Sequence, residues 1–141
     1  MRETRPVRDG EELPLDALNV WLAAELPQLG RVNEVSQFPG GFSNLTYLLG
    51  CTHGEAVLRR PPRGVSSGKA HDMPREARIL SVLELRGVPA PRAFATCEDA
   101  RVIGVPFYVM ERIRGLILRG ATAPSVFTPE RFRALSERFV E

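Results

Sequence analysis

Residues 31–60 read RVNEVSQFPGGFSNLTYLLGCTHGEAVLRR, and the punctuation of this stretch decides the fold class. Val32, Glu34 and Ser36 alternate with Asn33, Val35 and Gln37, a loose fit to a strand. Pro39-Gly40-Gly41 breaks it, and residues 45–49 (LTYLL) resume as a second strand. Thr52-His53-Gly54 marks a turn, after which Ala56-Val57-Leu58-Arg59 runs back. The stretch therefore reads as a three-stranded antiparallel meander.

Upstream, residues 1–13 are polar and expected to fray. Leu15, Leu18, Leu22 and Leu26 recur at helical spacing beside Trp21, with Pro14 at the start and Pro27 as the stop. Downstream, residues 61–68 (PPRGVSSG) form a loop by composition. Asp72 is a suitable N-cap, Pro74 falls in the first turn and Gly87 suits the residue after the helix end. The helix between them is expected to bury Ile79, Leu80 and Leu83 as one apolar face. Residues 92–97 and 102–111 read as two more strands joined at Glu98-Asp99, and residues 115–124 are irregular. Thr128-Pro129-Glu130 opens a last helix with Phe132, Leu135 and Phe139 on one side. Its apolar pattern is still running at Glu141, so the chain is expected to be a fragment whose exposed face meets a partner or forms a homodimer. The expected division is an N-terminal extension over 1–30, a main lobe over 31–114, and a connector with the start of a second lobe over 115–141.

A length of 141 residues allows one globular domain and nearly rules out a two-domain enzyme. The longest apolar run covers residues 20–24, far short of a membrane span, and the first ten residues lack a secretory apolar region. Two cysteines make no disulfide framework, so a cytoplasmic setting is expected. A net charge of +2 argues for neither a nucleic-acid nor a membrane partner. Of the 19 basic residues only Lys69 is a lysine, so chemistry that needs a lysine must use it or substitute arginine. No aspartate follows Asp99.

Three groups of residues are candidates for chemistry. Gly40-Gly41-Phe42-Ser43-Asn44 fits either a hairpin turn or a backbone cradle for phosphate oxygens, with Ser43 and Asn44 as side-chain donors. Glu76 falls on the helical stripe of Ile79, Leu80 and Leu83, where a carboxylate is costly unless paired. Arg59 is the candidate partner; in the alternative, Glu76 sits in water and Arg59 joins Arg60 and Arg63 in a solvated cluster. Pro106-Phe107-Tyr108-Val109-Met110-Glu111 is either a plain core strand or one that offers its backbone to a flat ligand. Cys51, His53 and His71 lack a metal-ligand spacing, and no Ser-His-Asp order or GxSxG elbow is present. The run from Arg59 to Arg63 lacks the interleaved aromatics of a nucleic-acid stacking platform.

Four motifs in order, GGFSNLTY at 40–47, VLRRPP at 57–62, REARIL at 75–80 and GVPFYVME at 104–111, carry a family resemblance. The chain resembles the aminoglycoside phosphotransferase / choline kinase-like family, and most closely the kinase-like domain fused to some acyl-CoA dehydrogenases. The resemblance implies an α+β, protein-kinase-like N-terminal lobe. That lobe would hold a five-stranded antiparallel sheet with one packed helix, an N-terminal helix and a truncated C-terminal helix. It implies ATP as the cofactor, a small-molecule hydroxyl compound as the acceptor, and Mg²⁺ only in a complete protein with the C-terminal lobe. Gly40, Gly41, Ser43 and Asn44 would lie over the ATP phosphates. Arg59 stands where the family usually has the lysine that holds the α- and β-phosphates, and Glu76 where its acidic partner sits; Lys69 is a second, looser candidate for the phosphates. Met110 would border the adenine, and the carbonyl of Glu111 and amide of Ile113 would pair with its edge. The family's catalytic and metal-binding aspartates follow the connector, where this chain has none, so catalysis is not expected from these residues alone.

Overall fold

A computed structural model describes residues 3–40, 43–65, 68–115 and 128–140. Five strands form one antiparallel sheet: β1 (Val32–Gln37), β2 (Leu45–Cys51), β3 (Gly54–Arg60), β4 (Ala93–Cys97) and β5 (Phe107–Glu111), in the order β1-β2-β3-β5-β4. Among the described residues three α-helices accompany it: α1 (Leu15–Glu25), α2 (Met73–Leu85) and α3 (Pro129–Val140). The meander is as expected, and the weak alternation in β1 has a cause. The register against β2 shifts between Val32 and Glu34, an irregularity that moves the inward-facing set partway along the strand. The β2–β3 hairpin turns through Thr52-His53, and its tip is tied down by Thr52 N–H to Arg31 O (2.9 Å) and His53 N–H to Leu29 O (3.0 Å). Gly30 lies under that tip with φ 72°, and a Cβ there would stand 2.8 Å from Thr52 Cβ, so both conformation and space require glycine.

One sheet face carries Tyr47, Leu49, Ala56, Leu58, Phe107 and Val109, and it packs on Leu18, Leu22 and Leu26 of the α1 region. Trp21 meets Phe107 edge-on at 4.8 Å. Asn19 of α1 accepts from Val32 N–H at 2.8 Å, fastening the helix to the start of β1. The N-terminal segment is docked rather than frayed. Arg5 and Gln37 exchange backbone hydrogen bonds, Leu13 is buried, and the Glu11 carbonyl accepts from Tyr47 Oη at 2.7 Å and Arg60 at 3.0 Å. A polar sequence can dock in this way because the bonds use its backbone, which hydropathy does not register. Arg60 is 1% exposed and lies over the Tyr47 ring, so it belongs to this interface and not to a solvated cluster.

The opposite sheet face receives α2. Its caps are as expected: Asp72 accepts from Arg75 N–H at 3.0 Å, and Gly87 (φ 69°) ends the helix with Val88 N–H bonded to Leu83 O. The packed side differs from the expected one. Met73 and Ala77 are buried with Leu80 against Tyr108, whereas Ile79 is exposed and Leu83 only half-buried. Small Ala77 lets the helix approach the sheet closely, which rotates the stripe of larger residues outward. The expected strand over 102–111 begins only at Phe107. Asp99 instead accepts from Arg101 N–H at 2.9 Å, Gly104 (φ 91°) bonds back to Ala100, and Pro106 has no N–H to give to a ladder. In α3, Phe132 is exposed and Leu135 half-buried, while the side chain of Phe139 lies outside the described residues. Among the described residues no helix is long and apolar enough to cross a membrane.

Candidate functional site

Register places the candidate pair. Thr46 on β2, Arg59 on β3 and Tyr108 on β5 are direct cross-strand neighbours, and all three face α2. Arg59 Nε donates to Glu76 Oε2 at 2.8 Å, and its Nη1 donates to Thr46 Oγ1 at 3.1 Å. Tyr108 Oη donates to the same Glu76 oxygen at 3.1 Å. Burial, followed by the neighbouring Glu76 charge, pushes the Tyr108 phenol well above its usual range, so it stays protonated as a donor. Of the two readings left open for Glu76, the paired one is therefore the structure's. Both partners of the pair are about one-third exposed, so water screens part of the attraction and its net worth is on the order of 1 kcal/mol.

The glycine-rich turn contributes unevenly. Gly40 and the exposed Ser43 flank it, while Gly41 lies outside the described residues. Asn44 is 2% exposed. Its Nδ2 donates to Ala70 O and to Glu76 Oε1, both at 3.1 Å, and its Oδ1 lies 2.8 Å from His71 Nδ1. Asn44 thus points into the protein, at the start of α2. Lys69 lies in the 3₁₀ turn Lys69–His71, its side chain outside the described residues.

Met110 is on the same sheet face as Arg59, and the two share a cavity of about 320 Å³ with Glu76, Ile79, Leu80, Pro91 and Tyr108. The Glu111 carboxylate turns toward β4, accepting from Arg92 N–H at 3.2 Å. Ile113 is exposed, and among the described residues its amide has no hydrogen-bond partner. Between them, Arg112 lies over the Phe38 ring and pairs with Glu3 of the N-terminal segment. Thr46 and Arg112 have no role assigned from sequence, Tyr108 is read there only as part of the strand 106–111, and His71 only as lacking a metal-ligand spacing. Thr46 was within reach, because a tight turn at Thr52-His53 puts it opposite Arg59. Tyr108 and His71 are brought in by tertiary packing, and nothing local announces them.

This chain belongs to the phosphotransferase enzyme family, whose profile matches residues 34–137. It is 39% identical to acyl-CoA dehydrogenase family member 10 of Mus musculus over 94% of this chain and 12% of that protein. It is 35% identical to acyl-CoA dehydrogenase family member 11 of Homo sapiens over 82% of this chain and 15% of that protein. The chain therefore spans less than one-fifth of the length of these relatives. A crystal structure from Ralstonia eutropha, assigned there as an aminoglycoside phosphotransferase, superposes with a TM-score of 0.66 at 30% identity, over 85% of this chain and 34% of the other. The fold is a kinase-like aminoglycoside phosphotransferase N-terminal lobe, and the resemblance read from the four motifs is shown.

Proposed function

We propose that this chain forms the ATP-binding lobe of a small-molecule phosphotransferase, which moves the γ-phosphoryl group of ATP to a hydroxyl acceptor. The observation that carries the reading is the Arg59–Glu76 pair at 2.8 Å, on the sheet face beside the glycine-rich turn of a phosphotransferase-family chain. The residues present fit a nucleotide. Arg59 offers a cation to the lining of the 320 Å³ cavity, and Met110, Leu80 and Tyr108 offer it apolar surface. Arg59 takes the α- and β-phosphates, and Gly40, Gly41 and Ser43 cover them. Met110 borders the adenine, whose edge meets the Glu111 carbonyl and Ile113 amide.

Bound Mg²⁺ would neutralise phosphate charge. The family resemblance implies that its ligands lie in a second lobe of a complete protein; among the described residues no group of three or more His, Cys, Asp or Glu is placed to hold a metal. Calorimetric titration with ATP and with adenosine tests the reading. ATP should bind at least ~10-fold more tightly, since an arginine–phosphate bond contributes roughly 1.5–3 kcal/mol, and Arg59→Ala should erase the difference. Equal affinity for both ligands, or none for either, would overturn it. A non-catalytic binding or dimerisation module is the second reading, favoured by Ile79, Val82 and Leu85, which α2 exposes. A clean monomer at high concentration in sedimentation would remove its dimerisation form.

A further inference from the structure

Building on the ATP-binding reading, we propose that Asn44 and His71 are positioning residues. Together they clamp the end of the glycine-rich turn onto α2 and so hold the Glu76 carboxylate in the one orientation that aims Arg59.

The hydrogen-bond inventory carries this. An asparagine amide has two N–H donors and one carbonyl acceptor. Both donors of Asn44 are spent inside the protein, one on Ala70 O and one on Glu76 Oε1, each at 3.1 Å. Asn44 is 2% exposed, so neither donor remains for a phosphate oxygen. Its acceptor is spent as well: Oδ1 lies 2.8 Å from His71 Nδ1, and an amide oxygen can only accept, so that nitrogen carries the hydrogen. A flipped amide would set its oxygen against two other acceptors, the Ala70 carbonyl and the Glu76 carboxylate. The Ala70 and Glu76 acceptors therefore fix the orientation of the Asn44 amide, and a His71 donor on Oδ1 holds it there against Glu76. Neutral imidazole with hydrogen on Nδ1 and imidazolium both carry this donor.

Glu76 is then held from both sides. Oε1 takes Asn44, while Oε2 takes Arg59 Nε at 2.8 Å and Tyr108 Oη at 3.1 Å. Among the described residues Asn44 is the only donor to Oε1. Without it the carboxylate is held at Oε2 alone, and Arg59 has a partner anchored on one oxygen in place of two. The Asn44 backbone immediately precedes β2 and ends the glycine-rich turn, whereas Ala70, His71 and Glu76 belong to the approach to α2 and its first turn. The clamp thus joins the turn to the helix and makes their positions interdependent.

The test reads Arg59 directly, independently of any nucleotide. In ¹⁵N spectra of the chain, the Arg59 Nε–H should be a distinct resonance protected from solvent exchange, identified by its absence in Arg59→Lys. Asn44→Asp keeps size and shape but replaces the donor with an acceptor facing two acceptors. It should accelerate exchange of that proton and weaken ATP binding by about 10-fold, while leaving adenosine binding unchanged. His71→Leu should act in the same direction. His71→Asn, whose Nδ2 can stand where Nδ1 stood, should restore both signals. The His71 pair keeps the test decisive even if Asn44→Asp fails to fold. Unchanged exchange of the Arg59 proton in folded Asn44→Asp or His71→Leu protein overturns the clamp, and so does a His71→Asn variant as impaired as His71→Leu. Accelerated exchange in the variants, with no preference for ATP over adenosine in the unaltered protein, supports the clamp and instead overturns the ATP-binding reading.

Discussion

Removing one leucine from α1 should show that the N-terminal helix is part of the lobe's core and not an appendage. Leu18 and Leu22 are both 0% exposed and pack with Tyr47, Leu58 and Phe107 from the sheet. Truncating a leucine in such a site costs about 2–5 kcal/mol, the lost transfer energy plus the cavity left behind. A domain of this size holds only about 5–15 kcal/mol in total. Leu22→Ala should therefore remove a large fraction of the stability, and Leu18→Ala with Leu22→Ala should leave the protein mostly unfolded. Val20 is the internal control, because it lies on the same helix at 75% exposure, and its change to alanine should stay within about 0.5 kcal/mol. Urea unfolding followed by Trp21 fluorescence is the assay. The protein has one tryptophan, and it sits at the α1–sheet contact 4.8 Å from Phe107. With a urea dependence of about 1–3 kcal/mol/M, the Leu22→Ala midpoint should fall by roughly 1–2 M. A shift no larger than that of Val20→Ala would refute the reasoning. So would a wild-type Trp21 transition that precedes loss of far-ultraviolet circular dichroism, since α1 would then be peeling away by itself.

The Arg101 side chain and amide hold the Asp99 carboxyl at about 2, below its ordinary 3.8. A depressed folded-state value gives stabilisation that is complete above the ordinary value and lost as pH falls toward about 2. A carboxyl-carbon titration should place the midpoint there, and Arg101→Ala should return it to the ordinary range. Burial raises both Tyr47 and Tyr108, so little phenolate absorbance should appear near pH ~10 in folded protein. Raised values favour the folded state below the ordinary phenol range and lose that effect as pH climbs, so ionisation and alkaline unfolding should coincide; normal titration with native circular dichroism intact would contradict this.

What the sequence made legible were the features written locally. The breaks at Pro39-Gly40-Gly41 and Thr52-His53-Gly54 delimit β1, β2 and β3, and Asp72 and Gly87 delimit α2. Four motifs in order sufficed for the family, which residues 34–137 match. The features that were not legible depend on the depth and angle of packing. Periodicity cannot say which of two adjacent stripes on α2 meets the sheet, and there Ala77 prevailed over Ile79. Hydropathy cannot register a docked segment whose contacts are made by its backbone, as at Arg5 and Glu11. Asn44 shows the same limit at the site. Its motif position marks it as important, but only the approach of α2 reveals that its amide serves Glu76.

An arginine at position 59, where the resemblance implies a lysine, changes what the surrounding residues must do. A lysine has one nitrogen, which must be divided between its carboxylate and a phosphate. In the proposed site Arg59 would separate those tasks along its planar fork. Nε meets Glu76 and Nη1 meets Thr46, while among the described residues Nη2 has no hydrogen-bond partner. That division works only if the plane of the guanidinium is fixed, because a rotated fork would present its nitrogens in the wrong order. Two anchors on different elements, Thr46 on β2 and Glu76 on α2, define the plane, and the Asn44–His71 clamp keeps the second anchor from turning. The departure at position 59 and the extra hydrogen bonds around Glu76 are thus two parts of one arrangement. On this reading, a carboxylate bonded at both oxygens keeps the Arg59 fork in one plane.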